Sequence, residues 1–498
     1  METHNPWLSV LQKTDLFVNS VDDHERNWND ILQQLQTVEK YLKNERYRES
    51  VPESFYSSIC QILNEGGHQI IDQREECHLI VSVLIECFRC LRNGCANCAR
   101  NQTQIAAQPG ILKETIYIAE NLKSKLHIPE SHLITVPGKL GAVLLRCVIQ
   151  FLGNFIVKNH ENQQEVLRGL KSLFRDFVSS PDEKLPSYTC MVLHACLSGH
   201  KTEDSKLETF LTSEVEGKLL LASILDAFER CHSEWLLFVI QDVLQLNNTW
   251  ASMKAAFTTK RKLLLLEVAS QLLSCDGGSG GQDSKGSINV SLSNLKAIAE
   301  DFKQSGGGII GLTEPSLERI ESPEVILKEL EVLCLATSDP YLYWTLREDE
   351  QLLQTTIGIL HKVHSLGKMG NNAFSSVTKP AESDSITNSQ HVAGLKRDLI
   401  RLTGNMVYRN VTNQNLVRQL DGIPLILDHT SIDERNPFIT QWSIFAIRNL
   451  CEDNQENKAV IAALKMEGLS DSVSLLNEMG VSAEVCDEKV VVKRLPKS

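Results

Sequence analysis

Residues 395–464 read LKRDLIRLTGNMVYRNVTNQNLVRQLDGIPLILDHTSIDERNPFITQWSIFAIRNLCEDNQENKAVIAAL. Apolar residues in this stretch recur at helical spacing, and short polar gaps separate the helices. One apolar run ends at Asn405, and an equivalent run ends at Asn449, 44 positions later. A period of this length, built from short helices, predicts a solenoid in which each unit stacks on the next.

The repeat obeys a local rule that recurs elsewhere in the chain. An anchor asparagine has an apolar residue five positions before it, and a second asparagine follows eight positions after it. Gln or Lys comes next and, after two more residues, Ile or Val. Four copies satisfy the rule, with anchors at Asn93, Asn154, Asn405 and Asn449. A unit of this size cannot bury its own apolar face, so neighbours must stack. The sequence predicts an all-α fold, an armadillo/HEAT-like α-solenoid of stacked short helices.

Each position of the repeat has a predicted role. The apolar residue five before the anchor lies on the inward face of its helix; these residues are Phe88, Ile149, Ile400 and Ile444. The second asparagine suits the N-cap of the next helix, where its side chain accepts from free backbone N–H groups; these are Asn101, Asn162, Asn413 and Asn457.

The anchor asparagines are the candidate partner-binding residues. They recur at equivalent places, and in a groove each amide can pair with the backbone of an extended peptide. The alternative is that they cap helix ends and contact only their own repeat. The candidate groove residues are therefore Asn93, Asn154, Asn405 and Asn449.

Composition limits the class of protein. The chain has 498 residues, 42% of them hydrophobic and only 6% aromatic, and a formal net charge of −13. That charge argues against a nucleic-acid partner, which requires concentrated Lys and Arg. No apolar run approaches the length of a membrane span. Fourteen cysteines without a secretory leader favour a reduced, cytoplasmic protein.

Glycine-rich and polar stretches suggest the domain boundaries. Residues 275–286 resemble a phosphate-binding loop only superficially, because Lys285 precedes Gly286 and the flanks look helical. Residues 367–391 read as a polar insertion that offers phosphorylation sites or is an unmodified loop. Residues 468–478 are predicted to form a capping helix. The predicted regions are an N-terminal helical repeat region (1–274), a glycine-rich loop or insertion (275–310), continuing helical repeats (311–366), a flexible polar linker (367–394), a C-terminal armadillo-like domain (395–485) and a tail (486–498).

Two groups of residues could bind a metal. Cys87, Cys90, Cys95 and Cys98 form two CxxC pairs, the residue type that holds structural zinc. The favoured interpretation is a mixture of core and surface thiols, in which Cys87 and Cys90 pack in the core because they flank an apolar helix position. His361 and His364 lie one helical turn apart but lack a third ligand. With no catalytic motif in view, the sequence predicts no enzyme and no cofactor.

Several segments resemble the ataxin-10 family. The C-terminal ones are Leu399–Asn405, Leu420–Asp428, Asn436–Phe438 and Thr440–Leu450, and Glu86–Asn93 is similar to the N-terminal half of the family. The middle of the chain, residues 180–365, matches more loosely. This resemblance implies an armadillo-like, non-enzymatic interaction scaffold.

The resemblance also implies partners, roles and locations. The partners are a heterotrimeric G-protein β subunit and O-GlcNAc transferase. Separately from the resemblance, the exposed ends of a solenoid would allow self-association. The roles are neuron survival, neurite outgrowth, cytokinesis and cilium assembly. The locations are the cytoplasm and perinuclear region, the midbody, and the cilium base or centrosome.

The other function considered is a transport adaptor for basic peptide cargo. Import adaptors of that kind place a tryptophan four positions before the groove asparagine. This chain has Arg89, Gln150, Arg401 and Phe445 there, which argues against such a role.

Overall fold

The computed structural model describes residues 28–71, 77–123, 137–198, 206–275, 290–306, 322–339, 344–370, 372–377, 392–464, 481–486 and 489–494. The chain divides into two compact units, residues 1–243 and 244–498. Each unit is a stack of short helices.

In the first unit, α4 packs against α1 on one side and α7 on the other, and α7 packs in turn against α10. We call α1, α4, α7 and α10 the spine helices of this unit. The helices are α1 (Trp28–Leu42), α2 (Glu45–Arg48), α3 (Glu53–Ile71), α4 (Cys77–Cys95), α5 (Ala99–Ala106), α6 (Pro109–Lys123), α7 (Pro137–Ile156), α8 (His160–Leu170), α9 (Phe174–Val178), α10 (Leu185–Ser198), α11 (Lys206–Ser213), α12 (Val215–Cys231) and α13 (Glu234–Gln245), within which the division falls.

The second unit repeats the arrangement with α15, α17, α20 and α23 as its spine helices, each packed against the next. The helices are α14 (Thr249–Met253), α15 (Thr259–Cys275), α16 (Leu292–Ser305), α17 (Pro323–Ser338), α18 (Trp344–Arg347), α19 (Glu350–Lys368), α20 (Leu395–Val407), α21 (Val411–Gln419), α22 (Gly422–Leu427), α23 (Ile439–Cys451) and α24 (Gln455–Ala463). The predicted armadillo-like helical solenoid is confirmed.

A β-hairpin near the C-terminus departs from the all-α prediction. Strands β1 (Val481–Cys486) and β2 (Lys489–Arg494) pair antiparallel, with Val481 opposite Arg494. The strands are rich in valine, whose branched side chain favours extended backbone. The hairpin crosses the boundary that the sequence suggested between a domain ending at 485 and a tail. The predicted capping helix, residues 468–478, lies outside the described residues.

Part of the predicted flexible linker, residues 367–394, is held in place. Helix α19 continues to Lys368. Beyond it, Nη1 of Arg435 donates to the carbonyls of Asn372 and Ser375, both at 2.8 Å, and Val377 N–H donates to Asp433 Oδ1. Residues 372–377 are therefore fixed by hydrogen bonds to Asp433 and Arg435, in the segment between α22 and α23.

A left-handed residue ends each signature repeat helix and sets up the next one. The residue four after each anchor has positive φ, namely Asn97, Lys158, Arg409 and Asp453. In three of the four copies the following residue is an asparagine N-cap that accepts the backbone N–H three positions later, namely Asn159, Asn410 and Asn454.

The N-cap prediction was wrong by three positions. The second asparagine of the rule is the third helical residue and not the cap. An N-cap needs extended backbone, and the residue directly after the left-handed one adopts it.

Candidate protein-binding cleft

The anchor asparagines join neighbouring repeats. Nδ2 of Asn449 donates to the carbonyl of Gly404 at 3.0 Å, and Nδ2 of Asn154 donates to the carbonyl of Arg92 at 2.9 Å. In both cases the acceptor is the residue just before the anchor of the preceding repeat.

The other two anchors reach back in the same way. Nδ2 of Asn405 donates to Cys334 O on α17 at 3.0 Å, and Nδ2 of Asn93 donates to Glu39 Oε1 on α1 at 3.0 Å. The amide nitrogens thus bridge repeats, which differs from both a cap on their own helix and a donor free for a peptide.

The second asparagine and the glutamine after it add further hydrogen bonds between repeats, and we call the whole set the amide ladder. Nδ2 of Asn413 donates to the carbonyls of Met406 and Arg347, and Nε2 of Gln414 donates forward to Asn449 O at 2.9 Å. The second asparagines of the other copies also donate to the residue following their anchor; the pairs are Asn101 with Gly94, Asn162 with Phe155, and Asn457 with Leu450. The repeated amides therefore tie successive repeats together.

Two of the four anchors meet at one cleft. Asn405 and Asn449 line a cleft of about 440 Å³ near the C-terminal ends of α17, α20 and α23. The half-buried Asn93 and Asn154 lie on α4 and α7 of the first unit and are not part of it. The lining residues are Thr337, Ser338, Arg347, Asn405, Tyr408, Arg409, Phe445, Arg448, Asn449 and Glu452.

Arg347 fixes one side of the cleft. Its side chain is only 8% exposed, and its Nε donates to the carbonyl of Asn405 at 2.9 Å. A second guanidinium nitrogen, Nη2, donates to Tyr408 O. These bonds reach carbonyls at the end of α20, where the regular intrahelical hydrogen bonds run out; Asn405 O otherwise accepts a bond of 3.4 Å from Tyr408 N–H. Arg347 therefore holds the backbone that carries Asn405 and Tyr408, and burial lowers its pKa without making it neutral at physiological pH.

Two further arginines are exposed at the cleft. The guanidinium of Arg409 lies 5.1 Å from the ring centre of Tyr408, and its Nε is 3.8 Å from Glu452 Oε1. Arg448 makes no hydrogen bond or ion pair with any other residue that the structure describes. With three arginines and one glutamate, the cleft is positive in a chain whose net charge is −13.

The sequence analysis did not single out these arginines. A signal for two of them is present in the repeat register. Arg448 directly precedes its anchor, and Arg409 is the left-handed residue four after its own anchor. Arg347 is the last residue of a different helix, α18, and becomes part of the site only through the fold.

All four clustered cysteines lie in the core, whereas the sequence favoured a mixture of core and surface thiols. Cys87, Cys90 and Cys95 are fully buried, and Cys98 is nearly so. Burial raises the pKa of Cys87, Cys90 and Cys95, so these thiols stay protonated and unreactive. Within the described part of the chain, no set of three or more His, Cys, Asp or Glu side chains is placed to hold a metal ion.

The two histidines on α19 contact different partners. Nε2 of His361 is 2.9 Å from the carbonyl of Leu420. His364 Nδ1 lies 3.4 Å from His429 Nε2, and His364 Nε2 lies 3.3 Å from Asp428 Oδ2. His361 joins α19 to the end of α21, whereas His364 joins it to the segment after α22, so the two histidines do not form a shared metal site.

Acid is expected to destabilise the second unit through His429. Burial lowers the pKa of His429 to about 4, against an ordinary value of 6.5. As the pH falls from 6.5 towards 4, His429 therefore becomes protonated in the unfolded chain but stays neutral in the folded chain. The free energy of unfolding should decrease over that range, with a slope approaching about 1.4 kcal/mol per pH unit.

Denaturant unfolding at a series of pH values checks this. His429→Asn keeps a donor near the Nδ1 position, which lies 2.7 Å from Leu425 O, and removes the titrating group. The free energy of unfolding of the variant should decrease less steeply than that of the wild type between pH 6.5 and 4. Parallel profiles for the two proteins would contradict the assignment.

No helix in the described ranges is both long enough and apolar enough to cross a membrane.

The chain is similar to several known proteins. The sequence model of the Spinocerebellar ataxia type 10 protein domain matches residues 395–493, and that of the BEM4 N-terminal domain matches residues 8–208. Ataxin-10 of Homo sapiens is 31% identical over 475 residues, covering 93% of this chain and 94% of that protein. Ataxin-10 of Xenopus tropicalis is 31% identical over 482 residues, covering 93% and 92%. The crystal structure of SYS-1 aligns over 89% of this chain and 75% of that one at 11% identity, with a TM-score of 0.36. On the identity and coverage of these relatives, the chain belongs to the ataxin-10 family.

Proposed function

We propose that this protein is a non-enzymatic scaffold that binds an extended segment of a partner protein in the C-terminal cleft. Family membership and the armadillo-like fold support an interaction role. The observation that carries the location is the convergence of Asn405 and Asn449 on one cleft with the aromatic side chains of Tyr408 and Phe445.

The side-chain amides of Asn405 and Asn449 each keep one hydrogen-bond acceptor, Oδ1, for a ligand. Their Nδ2 atoms are used within the chain, but no hydrogen bond from another described residue reaches Oδ1 of Asn405 or Asn449. A backbone N–H of a bound segment can donate to these oxygens. This pairing is independent of the partner's side chains, so the surrounding residues must supply the specificity.

The finer roles are proposed from family membership. They are contacts with a heterotrimeric G-protein β subunit and O-GlcNAc transferase, self-association, and participation in neurite outgrowth, cytokinesis and cilium assembly from a cytoplasmic location. An adaptor for basic cargo is disfavoured, because Arg347, Arg409 and Arg448 would repel lysine and arginine side chains.

Photo-cross-linking tests the location. A benzoylphenylalanine at Phe445, which is aromatic and half-buried in the cleft, should give discrete adducts with partner proteins in cells. The control places the same residue at Tyr41, an exposed aromatic position of the first unit. Both variants should melt at the wild-type temperature.

The adducts are identified by mass spectrometry. Adducts that form at Phe445 and not at Tyr41 support the proposal. If both positions give the same set of adducts, or if Phe445 gives none, the cleft is not the binding site.

A further inference from the structure

We infer that the segment bound in this cleft is acidic, carrying aspartate or glutamate side chains that pair with Arg448 and Arg409. The inference rests on the proposed function and specifies the chemistry of the partner. It starts from the sign of the charge at the cleft, which is opposite to that of the whole chain.

Arg448 is the residue that carries the argument. It is exposed on α23, lines the cleft, and has no partner among the described residues. A guanidinium offers five N–H donors in a planar fork that matches a carboxylate, and such charge-assisted pairs are about twice as strong as neutral hydrogen bonds. Arg448 therefore presents an unused, specific site for a carboxylate.

Arg409 supplies a second, partly occupied site. At 3.8 Å, its contact with Glu452 is long for an ion pair, and the Glu452 side chain is partly open to solvent. Exposed ion pairs of this kind contribute little to stability, so an incoming carboxylate can replace Glu452 at little loss. The ring of Tyr408 lies under the guanidinium at 5.1 Å and fixes its position.

The size and shape of the cleft favour a peptide over a nucleic acid. A volume of about 440 Å³ accommodates a few side chains. Binding of nucleic acid needs many phosphate contacts along an extended basic surface. Here only Arg409 and Arg448 are exposed and positively charged. Arg347 is buried and bonded to backbone carbonyls, and the other lining residues are neutral or acidic.

Selection from a random 12-residue peptide library on the immobilised full-length chain tests the inference. The wild-type chain should enrich peptides with net negative charge. Arg448→Glu reverses the charge at the free site and should abolish that enrichment. Lys362→Glu makes the same change at an exposed lysine of α19 outside the cleft, so it should enrich the same acidic peptides as the wild type.

Affinities of one synthesised acidic peptide give the magnitude. By fluorescence anisotropy with an uncharged dye, Arg448→Ala should weaken binding about 10-fold, which corresponds to about 1.4 kcal/mol. Replacing the peptide's Asp and Glu with Asn and Gln should weaken it at least as much. Arg409→Ala should have a smaller effect, because Arg409 already contacts Glu452 and Tyr408. Raising the salt concentration should weaken binding of the acidic peptide more than binding of its Asn and Gln version.

Failure of this inference can be told apart from failure of the proposed function. Neutral or basic peptides that still compete with cross-linking at Phe445 would overturn the charge assignment and leave the binding cleft in place. Acidic peptides that bind Arg448→Glu as well as wild type would also overturn it. Tighter binding of single-stranded RNA or of phosphatidylserine vesicles than of any selected peptide would assign the arginines to another class of ligand.

Discussion

Replacing Ile400 with alanine is expected to lower the free energy of unfolding by about 2–5 kcal/mol, the usual range for a fully buried isoleucine. The same substitution at Ile444, which occupies the same place in the next repeat, should lower it by less than about 1 kcal/mol. Ile400 is 0% exposed, whereas Ile444 is 60% exposed.

The difference follows from the position of each repeat in the stack. Helix α20 packs between two other spine helices, α17 and α23. Helix α23 packs closely against only one spine helix, α20, among the elements that the structure describes. Among the described elements, none therefore covers the face that carries Ile444 in the way that Ile400 is covered.

Hydrogen exchange of the amides in residues 395–464, measured across a denaturant series, would report the decrease in unfolding free energy for both variants. The two alanine variants remove the same atoms, so each serves as the control for the other. Equal destabilisation would mean that a further element covers Ile444 in solution and that α23 is an interior member of the stack.

The pair also shows what the sequence can predict and what it cannot. Both isoleucines fit the repeat rule equally well, and the rule placed both inside. The rule describes contacts within a repeat and the need for neighbours, but it holds no information on whether the next neighbour is present. Three of the four predicted inward positions, Phe88, Ile149 and Ile400, are fully buried.

The caps illustrate a second limit. The sequence indicated where one helix ends and the next begins, and the left-handed residue at each junction, such as Arg409, lies inside that window. Which asparagine caps the helix depends on backbone dihedral angles and not on residue type. Asn410 and Asn413 are both good caps by composition, and the extended backbone of Asn410 decides between them.

The cleft was only partly predictable for a different reason. Asn405 and Asn449 follow from the repeat register, but Arg347 bonds to a carbonyl 58 residues away in the chain. Contacts over such distances follow from the stacking of helices, which no local pattern encodes. The exposure of Arg448 is likewise a property of the packed surface.

Replacing Asn413 with alanine should lower the free energy of unfolding by about 2–4 kcal/mol. The side chain is 1% exposed, and its Nδ2 donates to two carbonyls, that of Arg347 at 2.6 Å and that of Met406 at 2.9 Å. Its loss removes a buried donor from both carbonyls, and a buried polar group that loses its hydrogen bond costs about 1–3 kcal/mol. Asn413→Asp keeps the shape but turns oxygen towards both carbonyls, so it should destabilise at least as much at neutral pH.

Thr412→Ala is the matched control, since Thr412 is the exposed neighbour on α21 and makes no hydrogen bond with other described residues. Its unfolding free energy should stay within about 0.5 kcal/mol of wild type. If Asn413→Ala were equally mild, the amide ladder would not hold the repeats together.

Asn413→Ala is also expected to affect the cleft, because Asn413 ties the backbone of Arg347 to the end of α20, which carries Asn405 and Tyr408. Binding of an acidic peptide should therefore weaken in Asn413→Ala even under conditions where the chain remains folded, and remain unchanged in Thr412→Ala.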